Sequence, residues 1–181
     1  MLLAVAARSA GRRPRPPVGP PRAGLRLAHV FAHPNGTGFI GPDADGLLRA
    51  ILVDALMSSA RTHVVTTHST VTRLLGGKPG NARELTVLDL LEDTVEYLES
   101  PAAMPSYGPS AILWVTTPDA DTDVVYQTLL DRPRHGLIAL CAGLWPHGPT
   151  YVIDQDDPFS GDRVDPPILT KEQALTALAT G

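Results

Sequence analysis

The apolar positions of this 181-residue chain change their period along its length, and from residue 37 onward they predict strands alternating with helices. "TGFIG" (37–41) reads as a first strand. In "DADGLLRAILVDALMSSA" the residues Leu47, Leu48, Ile51, Leu52, Ala55 and Leu56 fall at the i, i+3, i+4 spacing of an amphipathic helix, with Asp43 as its N-cap. The β-branched "THVVTT" (62–67) predicts a second strand, and "STVTRLLGG" a short helix opened by Ser69 and stopped by Gly76 and Gly77. "ELTVLDL" (84–90) predicts a third strand and "EDTVEYLES" an acidic helix, before a loop marked by Pro101, Pro105 and Pro109. "SAILWVTTP" (110–118) and "GLIALCAGL" (136–144) are unbroken apolar runs of the kind buried on both faces of a sheet. Between them, "DADTDVVYQTLLDR" carries acidic residues where the first turn of a helix favours them. "PTYVID" (149–154) predicts a sixth strand at the sheet edge, joined to the fifth through a hairpin-like "WPHG" corner in which Trp145 packs to close the core. "TKEQALTALAT" (170–180) predicts a final helix with a capping box.

This order implies an α/β fold: a three-layer sandwich around a mostly parallel sheet of five to six strands, Rossmann-like or degenerate P-loop-like. Residues 27–181 are expected to form one domain, since 43% hydrophobic content is enough for a sizeable core. Residues 1–26 are expected to be a disordered, basic, Pro/Arg-rich tail. The opening apolar run is far shorter than the roughly 20 residues that cross a bilayer. Its basic residues follow that run, whereas a secretory leader places them before it.

Charge sharpens the division. Six arginines (Arg8, Arg12, Arg13, Arg15, Arg22, Arg26) and no acidic residue precede Asp43, whereas from Asp43 onward 9 basic residues face 19 acidic ones, a balance of −10. An acidic body is a poor general binder of nucleic acid, so only the tail is suited to nucleic acid or anionic lipid. The expected location is cytoplasmic, with peripheral membrane association through the tail as the alternative. The single cysteine, Cys141, lies inside an apolar run and is expected to be a buried structural residue.

The turn into the first helix is where nucleotide-binding proteins keep their phosphate loop. In "GPDADGLL" Gly41 and Gly46 have the offset of that loop, but Leu47 and Leu48 stand where lysine and a hydroxyl residue are needed, and Asp43 and Asp45 put negative charge at an anion site. "GTGFIG" matches G-x-G-x-x-G through Gly36, Gly38 and Gly41, yet its last residues belong to the strand. The turn is therefore read as architecture, and nucleotide binding at Gly41, Asp43 and Gly46 is kept as the alternative. Asp43, Asp89 and Asp119 at consecutive strand ends offer a weaker metal reading. Ser69 follows His68 but lacks a nucleophile elbow, and His33, His63, His68, His135 and His147 show no H-x-x-x-H spacing among themselves. No catalytic residue, metal or cofactor is assigned.

The series "TGFIGPDADGLLRAILVDAL", "HVVTTHSTVTRLLG", "LTVLDLLEDTVEYLE", "AILWVTTPDADTDVVYQTLLD" and "GLIALCAGLWPHGPTYVIDQD" resembles, over about residues 36–157, the α/β segment of large bacterial transcriptional regulators. Those regulators carry a bacterial transcriptional activator (BTAD) domain and often a LysM module. The resemblance implies the α/β fold, a membrane-flank origin for the basic tail and a copy of a regulatory domain; the non-enzymatic role through an unknown protein partner is expected because no motif has both the residue types and the spacing needed for chemistry. It supplies no catalytic residues. The DNA-binding parts of the regulators have no counterpart here.

Overall fold

The computed structural model describes residues 26–58, 62–77, 79–80, 84–100, 111–131, 136–154 and 167–180. The basic tail up to residue 25 and the proline-marked loop 101–110 lie outside them. The elements, in chain order, are α1 (Arg26–Val30), β1 (Thr37–Ile40), α2 (Ala44–Met57), β2 (Thr62–Thr67), α3 (His68–Leu75) and β3 (Leu85–Leu88). They continue as α4 (Leu91–Glu99), β4 (Ala111–Thr116), α5 (Thr122–Asp131), β5 (Leu137–Ala142), β6 (Thr150–Val152) and α6 (Lys171–Thr180). The strands form one six-stranded sheet in the order β3-β2-β4-β5-β1-β6, with every pairing parallel. The first strand thus lies between the last two rather than at the centre beside the second, which distinguishes the order from that of dinucleotide-binding folds.

The direction of each connection decides which face it covers. β1→β2 and β2→β3 run one way along the sheet; β3→β4, β4→β5 and β5→β6 run the other. Crossovers of one hand must then place α2 and α3 on one face and α4 and α5 on the opposite face. The two cores follow this division. Leu47, Leu48, Ile51 and Leu52 of α2 and Leu74 and Leu75 of α3 pack on Phe39, Val64, Leu113, Val115 and Leu140, with Ala28 and Ala174 bringing in α1 and α6. On the other face Leu98 of α4 and Val125 and Leu129 of α5 pack on Val65, Ile112, Trp114, Ala139 and Cys141. Strands β4 and β5 feed both cores, which is why their sequences are apolar without alternation.

Several helix ends are satisfied as their sequences suggest. Thr170 and Gln173 close the capping box of α6, with Thr170 N donating to Gln173 Oε1 (2.8 Å) and Gln173 N to Thr170 Oγ1 (3.2 Å). Helix α3 starts one residue before Ser69, because Thr67 is its cap and accepts from Thr70 N at 3.2 Å. Gly76 ends α3 in the left-handed region at φ 81°. Asp43 occupies the cap position of α2, but its side chain makes no capping hydrogen bond. Helix α1, too short to leave a periodic signal, is held by an aromatic cluster in which Phe31 meets Phe39 (5.1 Å) and Tyr151 (5.4 Å) edge to face.

The connection from β5 to β6 differs from a hairpin. β6 pairs with β1, not with β5, so residues 143–149 cross over β1. A seven-residue segment suffices because Thr150 is level with Gly38, which is itself level with Cys141, so the chain does not have to travel back along the sheet. The crossing is tied down at each step. Gly143 N donates to Phe39 O (2.9 Å), Gly38 N to Pro149 O (2.9 Å), and Trp145 N to Thr150 Oγ1 (3.0 Å). Trp145 is 2% exposed and its indole Nε1 donates to Asn35 O at 2.7 Å. Beneath it, a Cβ on Gly38 would lie 2.6 Å from Trp145 Cβ and 2.7 Å from Gly143 O, so position 38 must be glycine.

Two outcomes follow from this packing. Gly38→Ala should lower unfolding stability by about 1–3 kcal/mol and Trp145→Ala by about 3–5 kcal/mol in denaturant titrations; a neutral Gly38→Ala would contradict the close crossing. Burial pushes the Cys141 thiol up to about 12 from 9.0. The native chain should therefore resist alkylation at pH 8 and react on unfolding. Because the folded value is the raised one, stability contributed by the neutral thiol is present below pH 9 and falls as pH rises toward 12.

Candidate functional site

Open parallel sheets bind ligands outside the carboxyl ends of strands, where neighbouring connections leave for opposite faces. Two such crevices exist here, between β1 and β5 and between β2 and β4.

The first contains Gly41, Asp43 and Gly46. Its glycines face the chain's own segments. Gly41 has φ +104°, and a Cβ there would lie 2.5 Å from Ile153 O, because Ile153 N donates to Ile40 O (2.8 Å) and Ile153 O accepts from Asp43 N (3.1 Å). The amide that opens the helix turn is thus spent on the segment after β6. A Cβ on Gly46 would collide with Ile168, whose neighbour Leu169 donates its N–H to Gly46 O at 3.1 Å. Asp45 is held by Arg73 of α3, with Nη2–Oδ1 at 2.8 Å and Nε–Oδ2 at 3.0 Å, and so clamps two helices together. The pattern that resembles a phosphate loop in sequence therefore reflects two close approaches, of Gly41 to the Ile153 backbone and of Gly46 to the Ile168 side chain.

The second crevice is lined with hydroxyls, since β2 ends in Val65-Thr66-Thr67 and β4 ends in Val115-Thr116 with Thr117 following. Thr67 Oγ1 contacts Ser69 Oγ (3.0 Å) and Thr70 Oγ1 (2.8 Å), and Thr70 reaches Thr117 at 3.4 Å. The Thr66 and Thr116 hydroxyls are fully buried and have no hydrogen-bond partner. The pleat sends Thr66 to the Val64 face and Thr116 to the Trp114 face, so they do not converge on one ligand position. Among the described residues no group of three His, Cys, Asp or Glu is placed to hold a metal ion, so Asp43, Asp89 and Asp119 are not brought together. Ser69 shares its hydroxyl with Thr67 Oγ1.

Two histidines are built into side-chain networks on the α4–α5 face. His63 Nε2 lies 2.9 Å from Thr86 Oγ1 and 3.1 Å from Tyr97 OH, and its ring stacks on Tyr97. Burial lowers its pKa, and Glu84, 3.9 Å from Nδ1, opposes that shift. His147, in the crossing loop, lies flat on Tyr126 with centroids 4.2 Å apart and places Nε2 3.0 Å from Asp123 Oδ1.

The feature the sequence did not reveal is a groove of about 430 Å³ between α4 and α5, lined by Val95, Glu99, Asp123, Val124, Gln127 and Asp131, with Thr128 also contributing. Its lining combines apolar Val95 and Val124 with the carboxylates of Glu99, Asp123 and Asp131. Val124 is 42% exposed and Leu130, on the same helix, 48%. Neither α4 nor α5 contains a lysine or arginine. That composition was the available signal, but it became a groove only when elements about thirty residues apart were laid side by side.

For His63 the folded pKa is the lowered one, so neutral His63 contributes stability above pH 6.5 that is lost as pH falls through its folded value. Thermal unfolding from pH 8 to 5 should show this acid-side loss, and His63→Gln should flatten it; an unchanged profile in the variant would exclude His63 as its source. No family model, no curated protein and no solved structure matches the chain.

Proposed function

We propose that this chain is an α/β protein-interaction module with a regulatory role in the cytoplasm, and that it engages its partner through the groove between α4 and α5. The observation that carries this reading is an open, valine-lined groove with partly exposed Val124 in it, on a face whose helices bear charge of one sign. Apolar surface rimmed by polar groups is the usual makeup of a partner site. The β1–α2 turn supports the same reading from the other side, because its amide and glycine faces are already committed to Ile153, Ile168 and Leu169. Among the described residues no helix is long and apolar enough to cross a membrane.

The test compares two quantities on the full chain. A partner captured by the wild type should be lost at least tenfold with Val124→Lys, while the melting temperature of the variant stays within about a degree, as expected of an exposed position. Millimolar nucleoside triphosphate with magnesium should leave the melting temperature unchanged. Saturation at 100 times a dissociation constant would stabilise the fold by about 2.7 kcal/mol, a rise of several degrees. Such a rise would transfer the function to the turn at Gly41, Asp43 and Gly46.

A further inference from the structure

The groove is electrostatically incomplete. Helices α4 and α5 together carry Glu92, Asp93, Glu96, Glu99, Asp123 and Asp131 and no cation. Asp93 is used at its own helix start, where it accepts from Leu90 N, and Asp123 faces His147. Among the described residues Asp131 accepts from Gln127, a neutral donor, and no lysine or arginine pairs with Asp131, Glu92, Glu96 or Glu99. Glu99 and Asp131 also sit in the last turns of their helices, the negative ends of the dipoles, where a carboxylate is unfavourable and a cation is favoured. The occupant that relieves all of these together has permanent positive charge on an apolar stem, to cover Val95 and Val124 while it pairs with Glu99 and Asp131. Arginine has that chemistry.

The chain supplies such a segment itself. Arg8, Arg12, Arg13 and Arg15 lie in a stretch without a single acidic residue, with Pro14 among them and Pro16, Pro17, Pro20 and Pro21 following, which limits the backbone freedom lost on docking. We propose that this basic arm, residues 8–15, docks in the α4–α5 groove of its own molecule, its arginines pairing with Glu99 and Asp131. The proposal rests on the groove being the binding face and names its first occupant. Reach permits it. The arm joins the fold at Arg26, where α1 packs against the α2 face, opposite the groove. Eleven to eighteen residues separate Arg15 and Arg8 from Arg26 and span about 36–60 Å when extended. Six strands are about 24 Å wide and the helix layers on the two faces add about 20 Å, a route of about 44 Å that Arg12 and Arg8 can cover. Arg22 is too near the join to arrive. Tethering raises the local concentration of the arm to the millimolar range, so a weak contact suffices. An external partner then has to displace the arm, and the charge pairing makes that exchange dependent on ionic strength.

Cys141 is buried, so a single nitroxide label can be placed on the full chain through Ser9→Cys. In low salt the label should remove more than half of the amide signal from Val95–Glu99 and Val124–Asp131 while sparing α2, α3 and α6. The loss should vanish in 0.5 M salt and in the Arg12→Glu/Arg13→Glu/Arg15→Glu variant, with Arg132 and Arg134 kept intact in every variant so that the arm alone is read. Signal loss spread evenly over the surface, or centred on another face, would overturn the proposal. Loss that persists when labelled and isotope-enriched molecules are different copies would also overturn it, by assigning the groove to the arm of a second copy. Partner capture that depends on Val124 but occurs without any arm docking would leave the interaction-module reading standing and remove only this step.

Discussion

The crossing of residues 143–149 over β1 is the constraint on which the remaining architecture depends. β1 is bonded on one edge by β5 and Gly143 and on the other by Pro149 and β6, and Trp145 closes the face between them. Because position 38 has no side chain, the loop can lie against the strand, and because it lies there, β6 can pair in parallel without a helix in between. Once β6 is fixed, Ile153 follows it onto the β1–α2 turn and commits the first amide of α2. Trp145 and His147 then roof the sheet beside α5 through Tyr126 and Asp123. One close backbone approach therefore decides both what fills the β1 crevice and what borders the α4–α5 groove.

The α/β class and the positions of the elements after residue 36 were legible because each signal was local. "AILWVT" and "LIALCA" are apolar at every position since both faces of their strands are covered, and the spacing from Leu47 to Leu56 marks a single buried helix face. The route of the chain from β5 to β6 was not legible. "WPHG" between two strands has the composition of a tight turn, and nothing in seven residues says whether the next strand pairs with the last one or with the first. The distinction lies in Gly38, a hundred residues away. A glycine needed for close approach and a glycine needed for phosphate contact leave the same letter in the sequence, which is why Gly36, Gly38 and Gly41 imitate a dinucleotide pattern.

The candidate site was less visible than the fold for a related reason. Acidic residues on α4 and α5 read singly as helix-start partners, as Asp93 is. Their shared meaning depends on the lateral placement of the two helices over β2, β4 and β5, and on the absence of cations from both. The histidines behaved similarly. Each is isolated in sequence, yet His63 meets Thr86 and Tyr97, and His147 meets Tyr126 and Asp123, through contacts that cross at least twenty residues.

The position of β1 in the sheet also bears on how the molecule is made. It leaves the ribosome first among the strands, but its neighbours, β5 and β6, are the last two to emerge. During synthesis β1, with Phe39, must wait for residues 137–152 before it has a strand partner on either side, whereas the apolar face of α2 meets β2 and α3 earlier. The strands β2, β3 and β4, by contrast, are contiguous in the sheet and can associate once Thr116 is available. Growth of this domain is thus inverted at one edge, with its earliest strand inserted last, and the nascent chain carries an unpaired apolar segment through most of its elongation.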